Sequence, residues 1–117
     1  VPAPTAAPDP VDPVSPRVLQ DTASLFGLLS ATVRLHILWL LDSGEQDVGT
    51  LADKTGQSIA TVSHHLGKLK LAGLVRAQRQ GKRQVYVATD DNALAVIRVA
   101  LSAAQPTLRA SDVARHA

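Results

Sequence analysis

Thr61, His64 and Lys68 recur at i, i+3 and i+7, a spacing that sets them on one face of an α-helix. None is acidic: two offer hydrogen bonds and one a positive charge. A face of this kind suits the edges of bases in a major groove about 12 Å wide, where a carboxylate would meet phosphate. Gln57, Ser58, Ala60, Ser63 and Lys70 flank it. Ile59, Val62, Leu66 and Leu69 fall together on the other side and are expected to face a core. Arg76, Arg79, Lys82 and Arg83 follow on or near a short ribbon, with chemistry suited to phosphates or a minor groove, and Lys82 and Arg83 are expected at its tip. From Lys54 to Thr89 there are seven bases and no Asp or Glu, so a formal net charge of only +2 conceals one continuous cationic segment. Charge alone is equally consistent with a solvated ribbon protected from edge pairing. The immediate succession of polar helix and basic ribbon favours a polyanion as partner.

The elements that must position these residues follow from local signals. Residues 1–13 hold five of the seven prolines and read as a disordered arm. Ser15-Pro16 is an N-cap followed by proline at the first helical position. The helix it opens carries Val18, Leu19, Leu25, Phe26 and Leu29. Ser30 is expected to cap a second helix, running to about Leu41. A short third helix spans roughly Val48 to Lys54, and Thr55-Gly56-Gln57 makes the turn into a fourth, capped by Ser58 and ended at Gly73. Alternation over Val75, Ala77, Val85 and Val87 around Gln80-Gly81-Lys82-Arg83 predicts a β-hairpin. A fifth helix begins after Asp90-Asp91-Asn92 and is expected to stop near Ala104, before Pro106, leaving 106–117 as a flexible tail. The fold class is therefore mainly α with a small β-hairpin, a winged helix-turn-helix over 14–105.

Composition removes other classes of function. With no cysteine, disulfides, thiolate metal sites and thiol redox sensing are excluded. No apolar run approaches a membrane span and no secretory signal pattern opens the chain, so the expected location is the cytoplasm. No catalytic constellation is brought together, and no enzyme is expected. The fifth helix is apolar around most of its circumference, which calls for a second partner beyond the monomer core. Arg98, its exception, is expected to reach the edge of that interface.

The chain resembles the ArsR/SmtB group of winged-helix regulators. The resemblance rests on Leu29 to Arg34 leading into Ile37-Leu38, on Leu51-Ala52, on Thr61 to Leu66 with Leu69, and on Ala72 to Val75. Gly81-Lys82-Arg83 and Val85-Tyr86 complete it. It implies a homodimer formed by the first and fifth helices, with Val18, Leu19, Leu25, Leu94, Ile97 and Leu101 in the interface. It also implies repression at an inverted-repeat operator in double-stranded DNA, commonly relieved by metal.

The metal ligands usual in such proteins are largely missing. The thiolate positions fall on Asp47-Val48-Gly49; of the fifth-helix set only Asp90 matches, the others falling on Asn92, Ala103 and Pro106. Asp112 and His116 stand at i, i+4 if the tail is helical, so any site would use nitrogen and oxygen ligands and favour nickel, zinc or cobalt. His64 and His65 point about 100° apart; His65 and His36 read as structural histidines. Two readings of the signal remain: a divalent metal at a non-standard site, or control by a partner protein or small molecule.

Overall fold

The computed structural model describes residues 13–116, with side chains for 13–105. The arm over 1–13 thus lies, apart from Pro13, outside the described residues. Helix α1 (Pro16–Leu29) starts as its sequence requires, with the Ser15 hydroxyl accepting from the Val18 N–H at 3.1 Å and Pro16 in the first turn. Ser30 closes α1 instead of opening α2 (Thr32–Asp42). Its backbone N–H and its hydroxyl both donate to the Gly27 carbonyl, satisfying an acceptor that the helix end would leave bare. Ala31 is then the N-cap of α2 and offers no side-chain bond.

A two-residue strand, β1 (Gln46–Asp47), leads into α3 (Val48–Thr55), and α4 (Ile59–Leu71) follows after Gly56. Gly56 adopts φ 71°, a left-handed conformation that costs glycine little and lets the chain reverse between the two helices. Strands β2 (Val75–Gln80) and β3 (Arg83–Ala88) form the hairpin, with Gln80 opposite Arg83 across a Gly81-Lys82 turn. The expected hairpin is in fact part of a three-stranded antiparallel sheet of order β1-β3-β2, since Gln46 and Asp47 pair with Tyr86 and Val85. Two residues are too few to show alternation, so β1 carries no periodic signal.

Helix α5 runs over Asp91–His116, past the expected stop at Pro106. An internal proline removes one backbone hydrogen bond and strains the turn before it, at a cost of about 3 kcal/mol, but need not end a helix. Ile37, Leu38, Leu51, Val62, Leu66, Leu69, Val85 and Ile97 are the largest fully buried side chains, and all are aliphatic. Helix α2 is central, packing against α1, α3, α4, α5 and β3. Each such side chain contributes roughly 1.5–3 kcal/mol by leaving water. Ile59 departs from the expected core stripe at 59% exposure, whereas Val62, Leu66 and Leu69 are fully buried. Arg98, the one charged residue of the apolar stretch 94–101 in the fifth helix, is exposed and pairs within its own protomer. Its Nε and Nη2 donate to the two Asp42 carboxylate oxygens at 2.8 and 2.6 Å, tying α5 to the end of α2.

Candidate nucleic-acid interface

Helix α4 is held by its buried side and by its cap. The Ser58 hydroxyl accepts from the Thr61 N–H and donates to the Thr61 hydroxyl, each at 3.0 Å. At the other end the Leu74 N–H donates back to the Leu69 carbonyl at 2.9 Å, with Gly73 at φ 79°. Of the residues expected to face nucleic acid, Gln57, Ser58, Ala60, Ser63, His64, Lys68 and Lys70 are exposed and Thr61 is half-buried. Among the described residues no carboxylate pairs with Lys68 or Lys70.

His65 faces inward from the same helix. Its Nδ1 lies 3.1 Å from Nη1 of Arg34, and the Arg34 Nε donates to the Leu28 carbonyl at 2.6 Å. The arginine therefore joins the end of α1 to α4, and a neutral imidazole is the form that can accept from it. Burial lowers the His65 pKa, and the charges of Arg34, His64 and Lys68 lower it further. Arg34 was not singled out from the sequence, because a partner in α4 leaves no local signal in α2.

The hairpin is arranged differently. Arg83 does not stand free at the tip: its Nη2 and Nε lie 2.7 and 3.0 Å from Oδ2 of Asp47. Asp47 also caps α3, accepting from the Thr50 N–H at 2.7 Å. Its pKa is lowered to about 2, first by hydrogen bonds from Thr50 and then by Arg83. Glu45 accepts from the Gln78 and Gln80 side-chain amides, and Arg76 donates to the Gln78 amide oxygen. Arg79 and Lys82 are exposed and have no carboxylate partner among the described residues. The segment that lacks acids in sequence thus receives two of them in space. The one local signal that could have found Asp47 is its place just ahead of the helix start at Val48, where a cap would stand; its pairing with Arg83 leaves no such signal.

The six residues expected in a dimer interface separate into three groups. Val18 and Leu19 are exposed, Leu25 and Leu101 are half-buried, and Leu94 and Ile97 lie in the core of their own protomer. The face α5 leaves open is formed by Ala95, Val96, Val99 and Ala100, and a shallow apolar groove beside it is lined by Phe26, Leu35, Val96 and Ala100. His36 is exposed and lines a neighbouring cleft of about 310 Å³ with Trp39, Leu35 and Leu101.

The usual metal positions do not fit a metal. Asp47 is committed to Thr50 and Arg83. Asp90 caps α5, accepting from the Ala93 N–H at 3.0 Å, while Ala103 and Pro106 have no ligating side-chain atom. Among the described residues no group of three or more His, Asp or Glu could hold an ion. Asp112 and His116 lie on the α5 backbone, with side chains outside the described residues.

Two helices joined by a tight turn, followed at once by a cation-bearing hairpin, define a winged helix-turn-helix DNA-binding protein. Residues 31–77 match the model of the arsR family of bacterial regulatory proteins. A transcriptional regulator of Methanocaldococcus jannaschii, MJ1325, is 33% identical over 81 residues, covering 68% of this chain and 91% of that protein. The regulator KmtR of Mycobacterium tuberculosis is 39% identical over 62 residues, 53% of this chain and 48% of its own length. A cadmium resistance transcriptional regulatory protein of Staphylococcus aureus, a CadC homologue, is 39% identical over 72 residues, 61% of this chain and 59% of that protein. Among solved structures, the homodimeric winged helix-turn-helix DNA-binding domain of Mb0332 from Mycobacterium bovis superposes with a TM-score of 0.69 at 31% identity, over 89% of this chain and 94% of that one. The chain belongs to the ArsR family, whose members here are transcriptional regulators and not enzymes. It spans about half the length of KmtR. No single helix among the described residues is long and apolar enough to cross a membrane.

Proposed function

We propose that this regulator binds an inverted-repeat operator as a homodimer and represses the adjacent promoter, with α4 reading bases and the hairpin gripping phosphate. The observation that carries this reading is the exposed face of α4, polar or basic and without a carboxylate partner among the described residues, next to the exposed Arg79 and Lys82. Gln57, Ser58, Ala60, Thr61, Ser63 and His64 supply base and backbone contacts, and Lys68, Lys70, Arg76, Arg79 and Lys82 neutralise phosphates. Arg83 contributes mainly by anchoring the hairpin to Asp47.

Dimerisation is supported by the exposed Val18, Leu19 and Phe26 of α1 and Val99 of α5, and by the homodimeric Mb0332 domain. Two-fold symmetry places half-sites one helical turn apart, about 34 Å. Footprinting on the DNA upstream of the protein's own gene should show paired protection at that spacing. A single unpaired footprint, or none on any duplex, would contradict the reading.

For the signal, the CadC homologue supports a divalent metal, which here would have to use Asp112 and His116, with Asp90 released from its capping role. The commitment of Asp47 and Asp90 to other partners favours a regulator without its own metal sensor, controlled through a partner protein or small molecule. Titration with nickel, zinc and cobalt, with and without operator, separates the two. An operator affinity unchanged by every ion eliminates the metal reading.

A further inference from the structure

Ile59 was expected in the core and is instead 59% exposed at the first position of α4. It precedes the stripe that packs inward, Val62, Leu66 and Leu69, and it lies on the same side of the helix as Ser63 and Gly67, at i+4 and i+8. A single exposed aliphatic side chain needs no explanation by itself. The surroundings of this one restrict what it can touch. The Ser58 hydroxyl is engaged with the Thr61 N–H and hydroxyl, which leaves the Thr61 O–H as the side-chain donor of the first turn. Ala60 beside Ile59 is exposed and apolar, and Gly67 leaves the backbone bare, with nothing within 4 Å of where a Cβ would stand. At the start of α4 the exposed apolar side chains are thus Ile59 and Ala60, beside the polar Gln57 and Ser58, while its later turns carry His64, Lys68 and Lys70.

On the base edges of a major groove the one apolar group is the C5-methyl of thymine. We propose that Ile59 is a specificity-determining residue that packs on a thymine methyl in each half-site, with Ala60 completing the contact. This rests on α4 entering the major groove, as proposed above. It adds a defined base preference at one position, set by removal of a methyl from water and not by a hydrogen bond.

The test compares thymine with uracil, which differ at that position only by the methyl. The operator is first recovered by selection from random duplexes, and each thymine is then replaced by uracil in turn. Wild-type affinity should fall about fourfold per half-site at one thymine position, the equivalent of one buried methyl group. Ile59→Ala should be insensitive to the same replacement, and Ile59→Val should retain part of the effect. Because Ile59 is exposed, Ile59→Ala should keep its melting temperature within about 2 °C of wild type; a drop of many degrees would mean a packing role and would overturn the proposal. Indifference of the wild type to every thymine replacement, while Lys68→Glu still abolishes binding, would overturn the methyl contact and leave the DNA-reading role of α4 intact. Unchanged binding by Lys68→Glu would overturn both.

Discussion

Helix α4 and the β2–β3 hairpin both come from the one stretch of chain without an acidic residue, yet the fold treats their charges in opposite ways. On α4, Lys68 and Lys70 stay exposed with no carboxylate partner among the described residues. On the hairpin, β1 and the residue before it bring Glu45 and Asp47 alongside, and Arg83 is bound at 2.7 Å. A surface acquires its charge from everything the topology packs there, and neighbours in sequence are only part of that. The hairpin is therefore less cationic than its four bases suggest, with Arg76, Arg79 and Lys82 as its charges without a carboxylate partner among the described residues. In the proposed function, reading and gripping are divided between the two elements.

The largest effect that could break this division comes from Lys68→Glu. Setting a carboxylate against phosphate should weaken operator binding about a hundredfold, since like charges in an interface cost several kcal/mol; fluorescence anisotropy at fixed salt measures it. Next, His64→Ala should change base preference at one position by roughly 5- to 150-fold, the range of one specific contact, without uniform loss across sequences. Binding to a panel of single-base operator variants reads this out.

The wing should respond in the opposite manner. Lys82→Ala should weaken all duplexes alike and lower the slope of log K against log salt by about one unit. Arg83→Ala should change that slope by much less, because Asp47 already neutralises it, and should lower the melting temperature instead. Equal slopes for the two variants would show that the pairing with Asp47 does not persist in solution. Glu45→Gln should tighten binding about twofold at low salt, an effect that fades above 0.1 M as screening shortens to about 10 Å.

The smallest effect concerns pH. The His65 pKa is lowered from 6.5 on folding, so the folded state favours the neutral ring. The stability this provides is complete above pH 6.5 and is lost as the pH falls from there through the lower folded value. Asp47, lowered from 3.8 to about 2, keeps its contribution above pH 3.8 and loses it only as the pH falls through about 2. Urea midpoints between about pH 7 and 5 should therefore fall for the wild type and flatten for His65→Gln. A flat wild-type profile would show that the Arg34–His65 link contributes nothing to stability.

What could be read from the sequence was what local physics decides. Ser15 and Ser58 cap helices, Gly56 and Gly73 end them, and Gly81 turns the hairpin, because each acts within four residues of itself. Ile59 departs from the helical wheel because the wheel treats a helix as endless, whereas Ile59 is the first residue of α4 and stays exposed there. The Asp47–Arg83 pair, the Arg34–His65 link and strand β1 join positions far apart in the chain, and no periodicity encodes them. The signal end stayed silent for another reason: the fifth-helix positions where metal ligands would stand hold a cap, an asparagine, an alanine and a proline.

Whether α4 and the wing tip bind DNA together is decided by the double variant Lys68→Glu, Lys82→Glu. Its operator affinity should fall to the level of a random duplex, while circular dichroism and melting temperature stay close to wild type. Retention of operator binding by the folded double variant would show that these two elements do not form the DNA interface.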